Sequence, residues 1–202
     1  MNKVIIATKN EGKAKEFSSL FADYGIEVQT LLDYPSLPDV EETGHTFEEN
    51  AVLKAEAIAD ETGQLVIADD SGLSIDALDG RPGVYSARYA GAKKDDEANI
   101  QKVLAELKGV PEEKRTARFH CVLAIARPGE KTVTVSGACE GKITSEKQGA
   151  NGFGYDPIFW VEDFQKTMAE LQPEEKNSIS HRGWAMKKLG ALLPEIMGGE
   201  TR

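Results

Sequence analysis

Several stretches of this chain carry residue types that could act on a phosphorylated substrate. Thr8-Lys9-Asn10-Glu11-Gly12-Lys13 joins an apolar run to an amphipathic stripe. In open α/β sheets ligands gather at the carboxyl ends of strands, and helix N-termini turn N–H groups toward anions. Gly12 would let the backbone approach a phosphate, Lys13 would supply charge, and Thr8 and Asn10 neutral hydrogen bonds. The P-loop pattern GxxxxGK[ST] fails at both ends, because Ala7 replaces its first glycine and Ala14 its hydroxyl residue. A plain capping loop accounts for the segment equally well.

Carboxylates elsewhere could supply the missing metal ligand. Asp69-Asp70-Ser71-Gly72 follows the apolar run Leu65-Val66-Ile67-Ala68, which places two acids at the C-terminal end of a strand, facing opposite ways. Glu41 and Glu42 come from an earlier loop. Mg2+ takes one or two protein carboxylates, with water and substrate phosphates completing its shell. One acid from each pair would serve. Lys54, one helical turn beyond Asn50, borders an apolar face and could either snorkel to solvent or reach a phosphate.

Two further stretches are unusual. Gly149-Ala150-Asn151-Gly152-Phe153-Gly154-Tyr155-Asp156-Pro157 surrounds two aromatics and an acid with glycines. Such a loop is costly unless the backbone must bend sharply, and a ring held on it can stack on a planar base. Lys176-Asn177-Ser178-Ile179-Ser180-His181-Arg182-Gly183 leads into the last helical stripe. Cations at a helix N-terminus oppose the helix dipole, so His181 and Arg182 require another partner.

The elements that must position these residues follow from periodicity. Val4 to Ala7 is a run for a strand buried on both faces. Phe17, Leu20, Phe21 and Tyr24 form a helical stripe that Gly25 ends, and Ile26, Val28 and Thr30 alternate like a second strand. Thr46 and Glu49 have capping-box spacing before a helix whose face carries Phe47, Ala51, Ala55, Ile58 and Ala59. Ile100, Val103, Leu104 and Leu107 mark a third helix, and Ala185, Leu189, Leu192 and Leu193 a last one. Phe119–Ala126 and Thr132–Val135 flank Arg127-Pro128-Gly129-Glu130 as a hairpin. The expectation is an α/β fold with a mixed, partly antiparallel sheet flanked by helices, in two lobes around a central cleft.

A length of 202 residues fits one domain, taken as 1–202, and 40% hydrophobic with 29% charged residues is a globular balance. Twenty-four basic against 34 acidic residues leave a net charge of −10, which argues against wrapping nucleic acid or an anionic membrane. Cys121 and Cys139 form neither a CxxC pair nor a cysteine-rich zinc site. No stretch approaches the ~20 apolar residues of a membrane helix, so the expected location is the cytoplasm.

Taken in order, TKNEGK at 8–13, EETGHTFEENAVLKA at 41–55, ADDSGL at 68–73, PGVYSARYAG at 82–91, NGFGYDPIF at 151–159 and EEKNSISHRG at 174–183 resemble the inosine/xanthosine triphosphate pyrophosphatases, the Ham1-like family, in its bacterial form. The resemblance implies Mg2+-dependent hydrolysis of dITP, ITP and XTP to monophosphate and pyrophosphate, usually by a homodimer. It implies Asp70 as catalytic base and metal ligand, with Glu41 as the second metal carboxylate. Thr8, Lys9, Asn10, Glu11, Gly12, Lys13 and Lys176 would cradle the triphosphate, with Lys54 a further phosphate contact and Ser71 touching substrate. Phe153, Gly154, Tyr155 and Asp156, with His181 and Arg182, would form the nucleoside pocket.

Three rivals make different products or none. A pyrophosphatase for modified pyrimidine nucleotides would differ in base preference. A nucleotide sensor would bind without turnover, and an aspartyl-phosphate phosphatase would release inorganic phosphate.

Overall fold

The computed structural model describes residues 3–37 and 39–198. Seven strands form one sheet in the order β2-β1-β3-β4-β5-β6-β7: β1 (Lys3–Ile6), β2 (Glu27–Thr30), β3 (Val66–Ile75), β4 (Thr116–Ala126), β5 (Val133–Ile143), β6 (Phe159–Val161) and β7 (Lys166–Thr167). Strand β1 pairs parallel with β2 and β3, whereas β5–β6 and β6–β7 are antiparallel. The sheet is mixed, as expected. Among the described residues five α-helices accompany it: α1 (Glu11–Ala22), α2 (Phe47–Thr62), α3 (Asp96–Glu106), α4 (Pro173–Ile179) and α5 (His181–Gly198). None of the described helices is long and apolar enough to cross a membrane.

By contacts the chain groups into two compact units. Of the described residues, the first holds 3–37, 39–70, 121–137 and 182–198, and the second 71–120 and 138–181. In the first unit, β1 is buried on both faces, and its alternation sorts the core into two layers. Val4 and Ile6 join Ile67 with Phe17 and Phe21 of α1 and Leu189 of α5. Ile5 and Ala7 join Val66 and Ala68 with Ala51, Ala55 and Ile58 of α2. Helix α2 begins at the capping box expected from Thr46 and Glu49 and stops at Gly63 in the left-handed region. The core of the second unit gathers Leu73, Ile75, Ile100, Val103, Phe119 and Phe159.

Four boundaries differ from the sequence reading. Strand β3 does not end at Asp69-Asp70 but runs on to Ile75, because Leu73 and Ile75 continue the buried alternation. The acids therefore lie within the strand rather than at its end. Strands β4 and β5 are also longer than their apolar runs: β4 begins at Thr116 with Ala117 buried, and in β5 buried Gly137 and Cys139 alternate with exposed Ser136, Ala138 and Glu140. The polar lead-in to the last helix is itself the short helix α4, opened by Pro173 and the Gln172/Glu175 capping box.

Candidate active site

Alternation along β3 decides what each acid meets. Asp69 shares the face of Ile67, toward α1 and α5, and Asp70 shares that of Val66 and Ala68, toward α2. Asp69 is accordingly ion-paired with Lys13 of α1, and its Oδ2 lies 3.4 Å from both Nε and Nη2 of Arg182, in the first turn of α5. Cys121 donates its thiol to the same oxygen at 3.3 Å. Arg182 is only 1% exposed, lies over the Phe17 ring, and pairs through Nη1 with Glu16. Lys13, Asp69, Arg182 and Glu16 thus form a row of alternating charge, buried at Asp69 and Arg182 and half-buried at its two ends. Burial alone would raise the Asp69 pKa, but the cations of Lys13 and Arg182 outweigh it and hold the carboxyl well below the usual range.

Asp70 has the opposite environment. Burial pushes its pKa up, Glu42 and Asp69 add to the rise, and Lys54 and Lys13 only partly oppose it. Its Oδ2 is buried with no hydrogen-bond partner among the described residues. Lys54 does not snorkel. Its ammonium donates to Glu42 at 2.6 Å, to the Asp69 carbonyl at 2.8 Å and to Asp70 Oδ1 at 3.4 Å. Burial lowers the Lys54 pKa, but Asp70, Glu42 and Asp69 reverse this and leave it raised and charged. Of the two acids in the earlier loop, Glu42 meets this cluster, whereas Glu41 is exposed.

In the segment Thr8–Lys13 the structure shows the capping-loop contacts. Lys13 N donates to Asn10 Oδ1 at 2.9 Å as a helix cap, and Asn10 N donates to Thr8 Oγ1 at 3.1 Å. Gly12 lies in the first helical turn and is not among the glycines with positive φ. Glu11 and Lys9 are exposed, and Lys9 pairs with Asp39.

In the second unit, Asp156 organises the glycine-rich loop. Its Oδ2 accepts from Phe153 N at 2.9 Å and from Lys176 at 2.7 Å. Gly152 has φ +76°, and a Cβ there would stand 2.1 Å from that oxygen, so glycine is required. Lys176 lies over the Phe153 ring, 4.9 Å from its centroid. Phe153 is half-buried, whereas Tyr155 is a core residue whose hydroxyl donates to the Ser86 carbonyl at 2.7 Å. Gly154 N donates to Asp96 at 2.8 Å, His181 stacks on Phe119, and Ser71 is half-buried in β3.

The structure regroups two cations. Lys176, expected with the phosphate loop, pairs with Asp156 beside Phe153. Arg182, expected in the nucleoside pocket, has guanidinium nitrogens bonded to Asp69 and Glu16. Sequence reading missed Asp69 as a hub and missed Glu16, although Glu16 stands one helical turn from Lys13 and that spacing was a usable signal.

Among the described residues no group of three or more His, Cys, Asp or Glu could hold a metal. That does not oppose Mg2+, which needs only one or two protein carboxylates when a polyphosphate supplies the rest. The unpartnered Oδ2 of Asp70, with an acidic loop beside it, fits such a cation.

The model of the Ham1 family matches residues 4–192. The chain belongs to the Ham1 family. It is 61% identical over 195 residues to a Bacillus licheniformis protein named dITP/XTP pyrophosphatase, covering 96% of this chain and 100% of that one. A Bacillus subtilis protein of the same name is 61% identical over 193 residues, covering 96% and 98%. Among solved structures, the Staphylococcus aureus Ham1 protein superposes with a TM-score of 0.83 at 47% identity, covering 99% and 100% of the two chains. A HAM1 protein from Coxiella burnetii gives 0.86 at 46%, covering 96% and 100%.

Proposed function

We propose that this Ham1-family chain, acting as one catalytic domain, hydrolyses dITP, ITP and XTP to the monophosphate and pyrophosphate, and so clears deaminated purines from the nucleotide pool. The observation that carries the chemistry is Asp70, a buried carboxylate with a raised pKa and an open oxygen, beside a charged lysine. The relatives' names supply the substrate class. Asp70, with Glu41 as the resemblance has it, would hold Mg2+. When bound, the ion would neutralise phosphate charge and favour attack on phosphorus. Asp70 orients a water and accepts its proton. Lys13, released from Asp69, and Lys54 balance charge building on the leaving pyrophosphate.

At the base end, Phe153 offers a stacking face and Lys176 a donor beside it. Hypoxanthine and xanthine carry an oxygen at C6, which a donor satisfies, whereas adenine carries an amino group that leaves donor facing donor. Mispairing a buried polar group gives large discrimination. A homodimer in the cytoplasm completes the proposal, and light scattering of the purified protein tests the dimer.

Steady-state pyrophosphate release across a panel of nucleotides tests the activity. Hydrolysis of dITP and XTP is expected to exceed that of ATP, dTTP and UTP by at least about 100-fold in kcat/KM. Faster turnover of dTTP or UTP overturns the purine assignment. Binding without release favours a sensor, and inorganic phosphate as product favours the aspartyl-phosphate route. The metal assignment is tested in the same assay. Glu41→Gln is expected to raise the half-saturating Mg2+ about tenfold and Glu42→Gln less than threefold; the reverse order transfers the role to Glu42.

A further inference from the structure

The acidic loop has no regular secondary structure, yet it is held firmly from one side. Gly44, His45 and Thr46 direct consecutive N–H groups at the first turns of α2. Gly44 N donates to Asn50 Oδ1 at 2.7 Å, and His45 N and Thr46 N donate to Glu49 Oε2 at 2.7 and 3.3 Å. The Thr46 N–Glu49 bond belongs to the capping box. The Asn50 bond does not, and it is the less expected feature. Asn50 is 0% exposed, on the face that carries Ala51 and Ala55, and an amide is costly there unless it has a task. Its Nδ2 has no hydrogen-bond partner among the described residues, so the buried amide is kept at a cost that only the Oδ1 contact offsets.

The loop side of the contact is equally constrained. A Cβ on Gly44 would stand 2.7 Å from Asn50 Oδ1 and 2.7 Å from Glu49 Cβ. Both members of the pair are therefore required for the loop to lie this close to α2. Glu42 precedes Gly44 by two residues and meets Lys54, which stands one turn beyond Asn50 on α2 and reaches Asp70. One helix thus fixes the acidic loop at Asn50 and couples it to Asp70 at Lys54.

We propose that Asn50 is a positioning residue for the metal-binding carboxylates: through Gly44 it fixes the loop that carries Glu41 and Glu42 at the distance from Asp70 that a shared cation needs. The inference rests on the pyrophosphatase reading and deepens it. In this role Asn50 acts through the backbone of residues 42–44, by way of the Gly44 N–H that it accepts.

Hydrogen exchange on the substrate-free protein reads the pinning without metal, and Mg2+ titration of pyrophosphate release from dITP reads its consequence. In Asn50→Ala, exchange at the Gly44 amide is expected to speed at least tenfold. Half-saturating Mg2+ should rise about tenfold, while KM for dITP at saturating Mg2+ stays within threefold. Gly44→Ala attacks the same contact from the other side and should give the same split. The double variant should need no more than about three times the Mg2+ of the worse single, because both remove one interaction. Asn50→Asp keeps an acceptor for the Gly44 N–H and should retain protection within threefold of wild type. Unchanged Gly44 exchange in Asn50→Ala, or faster exchange with a Mg2+ requirement within twofold of wild type, overturns the inference. A general loss in which kcat falls, KM rises and thermal stability drops also overturns it, as a purely structural role. A wild-type protein that releases no pyrophosphate overturns the underlying reading instead.

Discussion

Asp70→Asn is expected to lower kcat for dITP by about 1,000-fold, within the range general-base catalysis supplies, while nucleotide binding measured by calorimetry stays within about tenfold. Asparagine keeps the shape and the contact to Lys54 but cannot take a proton. The same substitution should leave the fold no less stable. Burial raises the Asp70 pKa above its unfolded value, so the protonated form is the one that folding favours. Its contribution is present below the unfolded pKa and lost as pH rises through the folded one, and at neutral pH the charge works against the fold. A neutral isostere removes that cost, as often happens where activity and stability conflict. Wild-type turnover in Asp70→Asn would remove this carboxylate from catalysis, and a large drop in stability would contradict the environment described for it.

Much of the scaffold was legible because it rests on local rules. The Thr46/Glu49 capping box, the Phe17/Phe21 stripe and the doubly buried run at Val4–Ile6 each declare themselves within a few residues. The glycine-rich loop was legible for the same reason, since Gly152 answers to Asp156 four residues away. Partners of charged side chains were not. Arg182 meets Asp69 across 113 residues of sequence, and nothing near Arg182 announces that acid. Strand β3 misled in its length, because Asp69 and Asp70 look like a strand terminus to any rule that counts polar residues. Parity along β3 carries the information instead. Once Ile67 faces α1 and Val66 faces α2, the partners of the two acids follow. Tyr155 is likewise placed by a distant partner: its ring is core and its hydroxyl donates to the Ser86 carbonyl.

That parity makes the neighbouring substitution the sharper test of the site's electrostatics. Asp69→Asn is expected to lower unfolding stability by about 3 kcal/mol, the scale for breaking a buried ion pair by removing one partner. Lys13 and Arg182 would keep their charges with Glu16 as the remaining anion of the row, and the Cys121 thiol would lose its charged acceptor. Because the Asp69 pKa is held below its unfolded value of about 3.9, its contribution is fully present above that pH and lost as pH falls further. The gap between wild type and variant should therefore be flat from about pH 6 to 8 and close only in acid. Urea denaturation at several pH values measures it, with Asp70→Asn as the control that differs by one residue and one face of the strand. If the two variants lose similar stability, the assignment of Asp69 to the charge row and Asp70 to the reaction fails, because burial is common to both and only their partners differ.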